Sequence, residues 1–208
     1  MGLKERRERE KELKRQHILN AARKLLLEKG YYNISIRQIA TLAEIGVGTI
    51  YSYFKSKEDI YAVLSEEVFD LLYHTMNSAA DKASGPVDKI RRTGEALLEF
   101  SNDHCMYYDF IDYFISTPQV IFPNDIKDHV DYYGKRIIEP VSMVISDGIA
   151  EGVFRDVDPG QYALIFFGSV HGFIHFRKLK NTVLKNEDFQ ELFRSNLECF
   201  IAGIMRNQ

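Results

Sequence analysis

The segment Val47–Phe54 carries side chains that are suited to contacting a DNA duplex. Thr49 offers a hydroxyl and a methyl group to base edges, and the hydroxyl of Tyr51 can reach a phosphate oxygen. Ile50 and Phe54 are four residues apart, so both can face inward on a short helix. The outer surface of that helix and its edges would consist of Val47, Gly48, Thr49, Tyr51, Ser52 and Tyr53. This division of faces is typical of a helix that enters the major groove.

Two cations flank this segment. Lys57 falls in the first turn of the following helix, beside backbone N–H groups that attract phosphate. Arg37 lies near the start of the preceding short helix and can reach a phosphate in the same way. A tight helical hairpin inside a protein core would show the same spacing, so spacing alone leaves both interpretations open.

The elements that must position these side chains are two short helices and a longer helix that follows them. Ser35 and Gln38 form a capping box that opens the first, and the residues 44–46 form a turn before Val47. Ser56 opens the third, with Asp59 at its third position. Two short helices joined by a three-residue turn predict a helix-turn-helix.

Helical periodicity continues through the rest of the chain, and about nine helices are expected, which makes the fold all-α. Leu13–Lys29 is the first helix, and residues 4–16 either extend it or form a frayed arm. Pro140 is expected to kink a long helix. Later helices are expected to open near Pro86, Asn124, Asp158 and Asn186.

Charge is divided unevenly along the chain. The net charge of the whole chain is -3, but residues 1–60 carry a balance of +5 and the remainder a balance of -8. A basic head on an acidic body suggests that only the first domain contacts a polyanion. The alternative is a charged helix that is simply solvated.

Composition excludes several classes of protein. The 208 residues include 45% apolar residues, with no apolar run long enough to cross a bilayer and no apolar signal core behind the charged N-terminus. We therefore expect a cytoplasmic protein without a membrane partner. Cys105 and Cys199 form no paired motif, and we expect both thiols to be buried.

Catalytic and cofactor motifs are missing from the sequence. It contains no nucleophile elbow, phosphate-binding loop or HExxH motif, so neither a cofactor nor a catalytic residue is predicted. His171 and His175 could both face one metal ion, but no adjacent carboxylate or thiol completes a site, and no metal is predicted. An all-helical enzyme acting on a hydrophobic small molecule remains the alternative function. A helical interaction module would leave the basic head unexplained.

The stretch Gly30–Tyr61 closely resembles the DNA-binding region of the TetR family of bacterial transcriptional regulators. The similarity rests on Gly30, on residues 35–40, on the sequence GTIY at 48–51 and on YFKSKED at 53–59. Residues 147–159 are similar to the family's link between its seventh and eighth helices.

The resemblance implies an N-terminal three-helix DNA-binding head, residues 1–60, and a larger helical effector-binding and dimerisation domain, residues 61–208. It also implies a homodimer on a palindromic double-stranded operator, usually a repressor that a small effector releases. Residues matching Tyr51 and Lys57 would contact phosphates. Residues at the groove would be Val47, Gly48, Thr49 and Tyr53.

The same resemblance implies an effector site among the aromatic middle helices, for a small and largely apolar or aromatic molecule. An aromatic stripe is also the ordinary composition of a core. The candidate effector residues are Tyr107, Phe110, Ile111, Phe114, Tyr133, Phe167, His171 and His175. Gly168 and Gly172 would permit close helix approach, and with the last helix they indicate a dimer interface.

Two residues depart from the family pattern. Glu44 stands where the family usually has glycine, and Gly46 stands where it usually has serine or threonine. Gly46 can still cap a helix. We expect Glu44 to adopt a strained backbone conformation and to place a negative charge near DNA.

Overall fold

The computed structural model describes residues 2–30, 33–116, 124–179, 182–185 and 187–206. Within these ranges the chain forms nine α-helices and no β-strand, which confirms the predicted all-α fold. The helices are α1 (Leu3–Lys29), α2 (Ile36–Leu42), α3 (Val47–Tyr51), α4 (Lys57–Ala80), α5 (Gly85–Asp103), α6 (Cys105–Ser116), α7 (Asn124–Ala150), α8 (Pro159–Phe176) and α9 (Phe189–Ile204). A short 3₁₀ turn, Arg177–Leu179, follows α8.

The chain divides into two compact units. The first contains residues 1–68 and 106–131, and the second contains residues 69–105 and 132–208. The predicted division into a DNA-binding domain, 1–60, and an effector domain, 61–208, concerns function and stays a prediction.

Helix α1 is continuous from Leu3 to Lys29, so residues 4–16 extend the first helix rather than form an arm without structure. Its second half packs in the first unit through Ile18, Leu25 and neighbouring apolar residues, which are almost fully buried. Arg23 binds α4 by donating from Nε and Nη2 to the carboxylate of Glu67, at distances of 2.7–2.9 Å. Because both groups are partly exposed, this pair fixes geometry more than it adds stability.

Local side-chain caps start several helices where the sequence predicts them. The backbone N–H of Gln38 donates to Oγ of Ser35, and the side chain of Gln38 accepts from the backbone of Ser35 at 2.7 Å, which completes the capping box of α2. Asp158 caps α8 by accepting from the backbone of Gln161.

The start of the last helix differs from the prediction. Asp188, not Asn186, is the N-cap, because its carboxylate accepts from the backbone N–H groups of Gln190 and Glu191. Asn186 itself lies outside the described residues. Two polar capping residues stand two positions apart here, and sequence alone does not choose between them.

In the second unit, α5, α8 and α9 pack against one another. Gly94 on α5 allows the side chain of Leu197 on α9 to approach so closely that a Cβ at position 94 would overlap it. The guanidinium group of Arg177 donates to the backbone oxygen of Ser101, which ties the end of α8 to α5.

The C-terminal end of α9 is joined to the loop between α7 and α8. The backbone N–H of Arg155 donates to the oxygen of Ile204 at 2.9 Å, and that of Arg206 donates to the oxygen of Val153 at 3.1 Å. These bonds form an isolated antiparallel bridge between Phe154 and Met205. Phe154 is thereby buried against α7, where Gly148 leaves room for its ring.

The expectation that both cysteines are buried is wrong. Cys105 and Cys199 are free thiols on the surface. Cys105 is the first residue of α6, directly after the break at His104, and Cys199 lies on the face of α9 that also exposes Ser195 and Ala202. Pro140 lies inside α7, where it removes one backbone donor. Among the described residues, no helix is both long enough and apolar enough to cross a bilayer.

Candidate DNA-binding surface and ligand cavity

The helix-turn-helix places α3 at the surface of the first unit. Gly46 is an extended N-cap, and its carbonyl oxygen accepts from the backbone of Thr49 at 2.9 Å. Helix α3 ends at Tyr51, three residues earlier than predicted. The backbone then tightens, because the N–H of Ser52 reaches the oxygen of Thr49, although the N–H of Phe54 still reaches the oxygen of Ile50 at 3.0 Å.

The inner and outer faces of this segment follow the prediction. Ile50 is fully buried and Phe54 nearly so. Tyr51 is 54% exposed, and its aromatic ring lies in solvent without covering the core. The backbone at Gly48 has open space around it, with nothing within 4 Å of an added Cβ. Of the remaining outer residues, Val47 and Ser52 are exposed, and Thr49 and Tyr53 are half-buried.

The turn before α3 contains the strained residue that the sequence predicts. Glu44 has φ of 51°, and it is the only residue other than glycine with a positive φ among the described residues. This left-handed conformation is disfavoured for a side chain with a Cβ. It lets the N–H of Ile45 return to the oxygen of Ala40 at 3.0 Å, which closes the turn.

The polar groups around α3 are not equally available. The hydroxyl of Ser52 donates to the oxygen of Thr49 at 2.6 Å, so it can only accept a further hydrogen bond. Nζ of Lys57 donates to the oxygen of Ile34 at 3.4 Å and lies 5.1 Å from the ring centre of Tyr61. Its two other protons can still reach a phosphate. Arg37 is exposed on α2.

The start of α4 is fixed by reciprocal bonds. The backbone N–H of Asp59 donates to Oγ of Ser56 at 3.1 Å, and the carboxylate of Asp59 accepts from the backbone of Lys55 at 2.7 Å. This arrangement holds Lys57 within the first turn, close to the end of α3.

Sequence comparison identifies the family. The sequence model of the bacterial regulatory proteins of the tetR family matches residues 18–64. The HTH-type transcriptional regulator YhgD of Bacillus subtilis is 30% identical over 152 residues, covering 71% of this chain and 75% of the relative. This chain belongs to the TetR family. It is a DNA-binding transcriptional regulator with a helix-turn-helix head.

Further relatives of this TetR-family protein agree. The HTH-type transcriptional repressor DhaR of Mycobacterium sp. (strain GP1) is 25% identical over 169 residues, covering 80% of this chain and 83% of DhaR. The crystal structure of the transcriptional regulator FadR from Bacillus subtilis in complex with stearoyl-CoA has a TM-score of 0.68. It is 21% identical and covers 91% of this chain and 98% of that one, so it shows a shared fold.

The effector residues predicted on α6 lie inside the first unit. Phe110 is fully buried, and its ring meets that of Tyr61 edge-on at 5.4 Å. Ile111 is also buried, whereas Tyr107 is half-buried, and this burial raises the pKa of its phenol. The pKa of Tyr61 is raised by burial too, so both phenols stay neutral donors at neutral pH. The side chain of Phe114 lies outside the described residues.

The other predicted effector residues belong to the second unit. Tyr133 on α7 stacks on Phe69 with ring centres 6.4 Å apart. Phe167 is half-buried on α8 beside Phe166. The ring centres of His171 and His175 are 6.5 Å apart. His171 is half-buried and His175 is exposed.

A half-open cavity of about 480 Å³ lies within the second unit, between α4, α5 and α7. None of the predicted effector residues lines it. Its apolar lining is Met76, Ala80, Pro140, Val141, Met143 and Val144, and its polar lining is Tyr73, Asn77, Asp81, Lys89, Thr93, Tyr132, Arg136, Glu139 and Asp147. No group of three or more metal-binding side chains occurs within the described ranges.

An ion pair and a contact with an aromatic ring orient Arg136 at this cavity. The guanidinium group of Arg136 donates to Oδ1 of Asp70 at 2.6 Å and lies 4.6 Å from the ring centre of Tyr73. Sequence reasoning missed this site because it searched for aromatic density, whereas Tyr73 and Tyr132 are the only aromatic residues among the described residues that line the cavity. The sequence feature that could have indicated this place is Arg136, one turn before Pro140. Because proline has no N–H, the carbonyl of Arg136, four positions earlier, has no helical donor.

Proposed function

We propose that this protein is a repressor that binds a palindromic operator as a homodimer and is released by a small, largely apolar or aromatic effector. The observation that carries this proposal is the exposure of the outer face of α3, above all Tyr51, over a buried Ile50. An exposed helix with small residues at Val47 and Gly48 can enter a major groove without a steric barrier.

In this proposal, Tyr51 and Lys57 hold phosphates, and Thr49 and Tyr53 lie at base edges. Phosphate contacts supply affinity that does not depend on sequence, and the groove residues supply selectivity. Ser52 acts only as an acceptor, because its proton is already used. Arg37 adds a further phosphate contact at the preceding helix.

The dimer interface is proposed on α8 and α9. Leu164, Ile165 and Phe176 on α8 are each more than half exposed, which is unusual for large apolar side chains at helical spacing. A Cβ added at Gly168 or Gly172 would meet no atom within 4 Å, so both glycines leave space for a neighbouring helix. A second copy of the same two helices would cover this face as a four-helix bundle.

The effector is proposed to occupy the cavity between α4, α5 and α7. A volume of about 480 Å³ lies in the range of small-molecule sites, and its floor contains the buried side chains of Met76 and Val141. The FadR structure contains stearoyl-CoA, whose acyl chain is apolar, and this supports an effector with an apolar part. The residues predicted from aromatic density, Tyr107 to His175, form the competing prediction.

A gel shift with DNA from upstream of the protein's own gene tests the function. Sequence-selective retardation that a random duplex does not compete away is expected. An enzyme or an interaction module would give none, and this result would contradict the proposal.

A second experiment tests the effector site. A thermal-shift screen of lipophilic compounds identifies a ligand, and its effect on the gel shift is then compared in two variants. Val144→Trp fills the cavity and should keep operator binding while abolishing release by the ligand. Val183→Trp adds the same ring at a 77% exposed position outside the cavity and should respond like the wild type. If the ligand releases Val144→Trp from the operator at the same concentration as the wild type, this cavity is excluded as the effector site.

A further inference from the structure

The first four turns of α1 carry a cationic stripe, defined here as Lys4, Arg7, Lys11 and Lys14. These positions alternate steps of three and four residues, so they share one face of the helix. The same steps continue along α1 through Ile18, Ala21 and Leu25. Those three residues are buried, which means that the stripe is the N-terminal continuation of the core-facing side of α1.

The face changes from buried to exposed beside the helix-turn-helix. Nε2 of His17 lies 2.9 Å from the backbone oxygen of Ala43, and the guanidinium carbon of Arg15 lies 5.5 Å from the ring centre of Phe54. Farther along α1, Arg23 lies beside Glu67 on the third turn of α4. The twelve residues before Arg15 continue α1 for about 18 Å beyond this contact, at 1.5 Å per residue.

The four cations of the stripe have no ion-pair or hydrogen-bond partner among the side chains that the structure describes. All four are exposed. Among the other basic residues of these turns, Arg6 pairs with Glu10 at 3.0 Å and Arg15 lies 3.6 Å from Glu12. Glu8 and Glu10 lie at the two edges of the stripe, and the four cations occupy the helix face between them.

A nucleic-acid backbone is the occupant that this face fits. The stripe spans about 15 Å, and the phosphates of one DNA strand rise by only about 3.4 Å each along the axis, so more than one phosphate lies within the length of the stripe. A membrane surface would need an apolar face opposite the charges. Residues 4–16 offer only Leu13, which makes the membrane alternative a poor fit.

We propose that residues 3–14 form a cationic arm that lies along the sugar-phosphate backbone of the duplex that α3 enters. This inference rests on the proposed function, because it requires α3 to be in the groove. The arm adds affinity without sequence preference, and it lengthens the contacted duplex beyond the bases that α3 reads.

Two double variants test the arm with equal changes in charge. Arg7→Gln with Lys11→Gln removes two cations from the stripe, and Arg6→Gln with Arg9→Gln removes two from the opposite side of the same turns. Glutamine keeps helix propensity, and circular dichroism checks that helicity is unchanged. Fluorescence anisotropy measures affinity from 50 to 300 mM KCl, on a duplex that the wild type has selected from a random pool.

The stripe variant is expected to lose at least about tenfold in affinity at low salt, and its salt slope should fall by up to about 3.6 per dimer. The opposite-face variant should stay close to the wild type. An equal loss of affinity in both variants, or no loss in either, would overturn the proposed role of the arm and leave the repressor assignment intact. A wild type that selects no duplex would overturn both.

Discussion

Nε2 of His17 lies 2.9 Å from the backbone carbonyl oxygen of Ala43 and donates a hydrogen bond to it. This bond joins α1 to the last residue before the strained turn of the helix-turn-helix. A carbonyl oxygen only accepts, so the imidazole must carry its proton on Nε2. The turn that orients α3 is therefore held in part by a residue of α1.

Glu44→Gly should stabilise the protein and strengthen DNA binding. Glycine adopts φ of 51° without steric cost, and its greater freedom in the unfolded chain offsets part of the gain, so about 1 kcal/mol is expected. Thermal unfolding should shift upward by about 2–4 °C.

Glu44→Gln separates strain from charge. It should leave the melting temperature unchanged and yet raise affinity for DNA, because the negative charge is removed while the Cβ remains. A melting temperature for Glu44→Gly at or below that of the wild type would show that the turn is not strained.

Lys57→Ala should weaken binding to every duplex by a similar factor and lower the salt slope by about 0.9 per protomer. Tyr51→Phe should cost about 1 kcal/mol of binding free energy, again independently of sequence. Lys24→Ala changes an exposed lysine near the C-terminal end of α1, and this control should leave the salt slope unchanged. A salt slope for Lys57→Ala equal to that of the control would remove Lys57 from the interface.

Two glycines on α7 should respond to alanine in opposite directions. A Cβ at Gly148 would overlap the buried ring of Phe154, so Gly148→Ala should reduce the free energy of unfolding by about 1–3 kcal/mol. Gly134 has open space, and Gly134→Ala should add up to about 1 kcal/mol through helix propensity. Denaturant titration measures both free energies of unfolding. If both substitutions changed stability in the same direction, the close approach of Phe154 to Gly148 would be contradicted.

The ion pair between α5 and α9 should contribute to stability only above acidic pH. Nε of Arg91 donates to Oε1 of Glu198 at 2.6 Å, and this bond lowers the pKa of the Glu198 carboxyl. A carboxyl whose pKa is lower in the folded state stabilises above its unfolded pKa of about 4.3, and this effect is lost as pH falls through the folded value.

Glu198→Gln should therefore cost about 0.5 kcal/mol at pH 7, a small value because the pair is partly exposed. The difference from the wild type should disappear near pH 3. A deficit that is constant between pH 7 and pH 3 would assign the cost to packing rather than to charge.

Leu164→Arg should convert a dimer into monomers. The residue is 57% exposed on the proposed interface, where a charge would be buried without a partner. Val183→Arg places the same charge at another exposed apolar residue of the second unit, outside α8 and α9, and should leave the assembly intact. Sedimentation measures both masses, and a dimeric Leu164→Arg would place the interface elsewhere.

The parts of this protein that local chemistry determines were predictable from sequence. Ser35 with Gln38 fixes the start of α2, and the separation of Ile50 and Phe54 fixes which side of α3 is buried. The cavity was not predictable in the same way. It depends on Met76, Thr93 and Val144 meeting across three helices, and helical periodicity alone does not specify which helices become neighbours.

The bridge between Phe154 and Met205 has a practical consequence for anyone who fuses a label to this protein. Ile204 and Arg206 carry the main-chain hydrogen bonds that hold the loop after α7, so a fusion that replaces the end of this segment would loosen Phe154 in the interior. A linker is best attached after Arg206, where the last of these bonds has already been made.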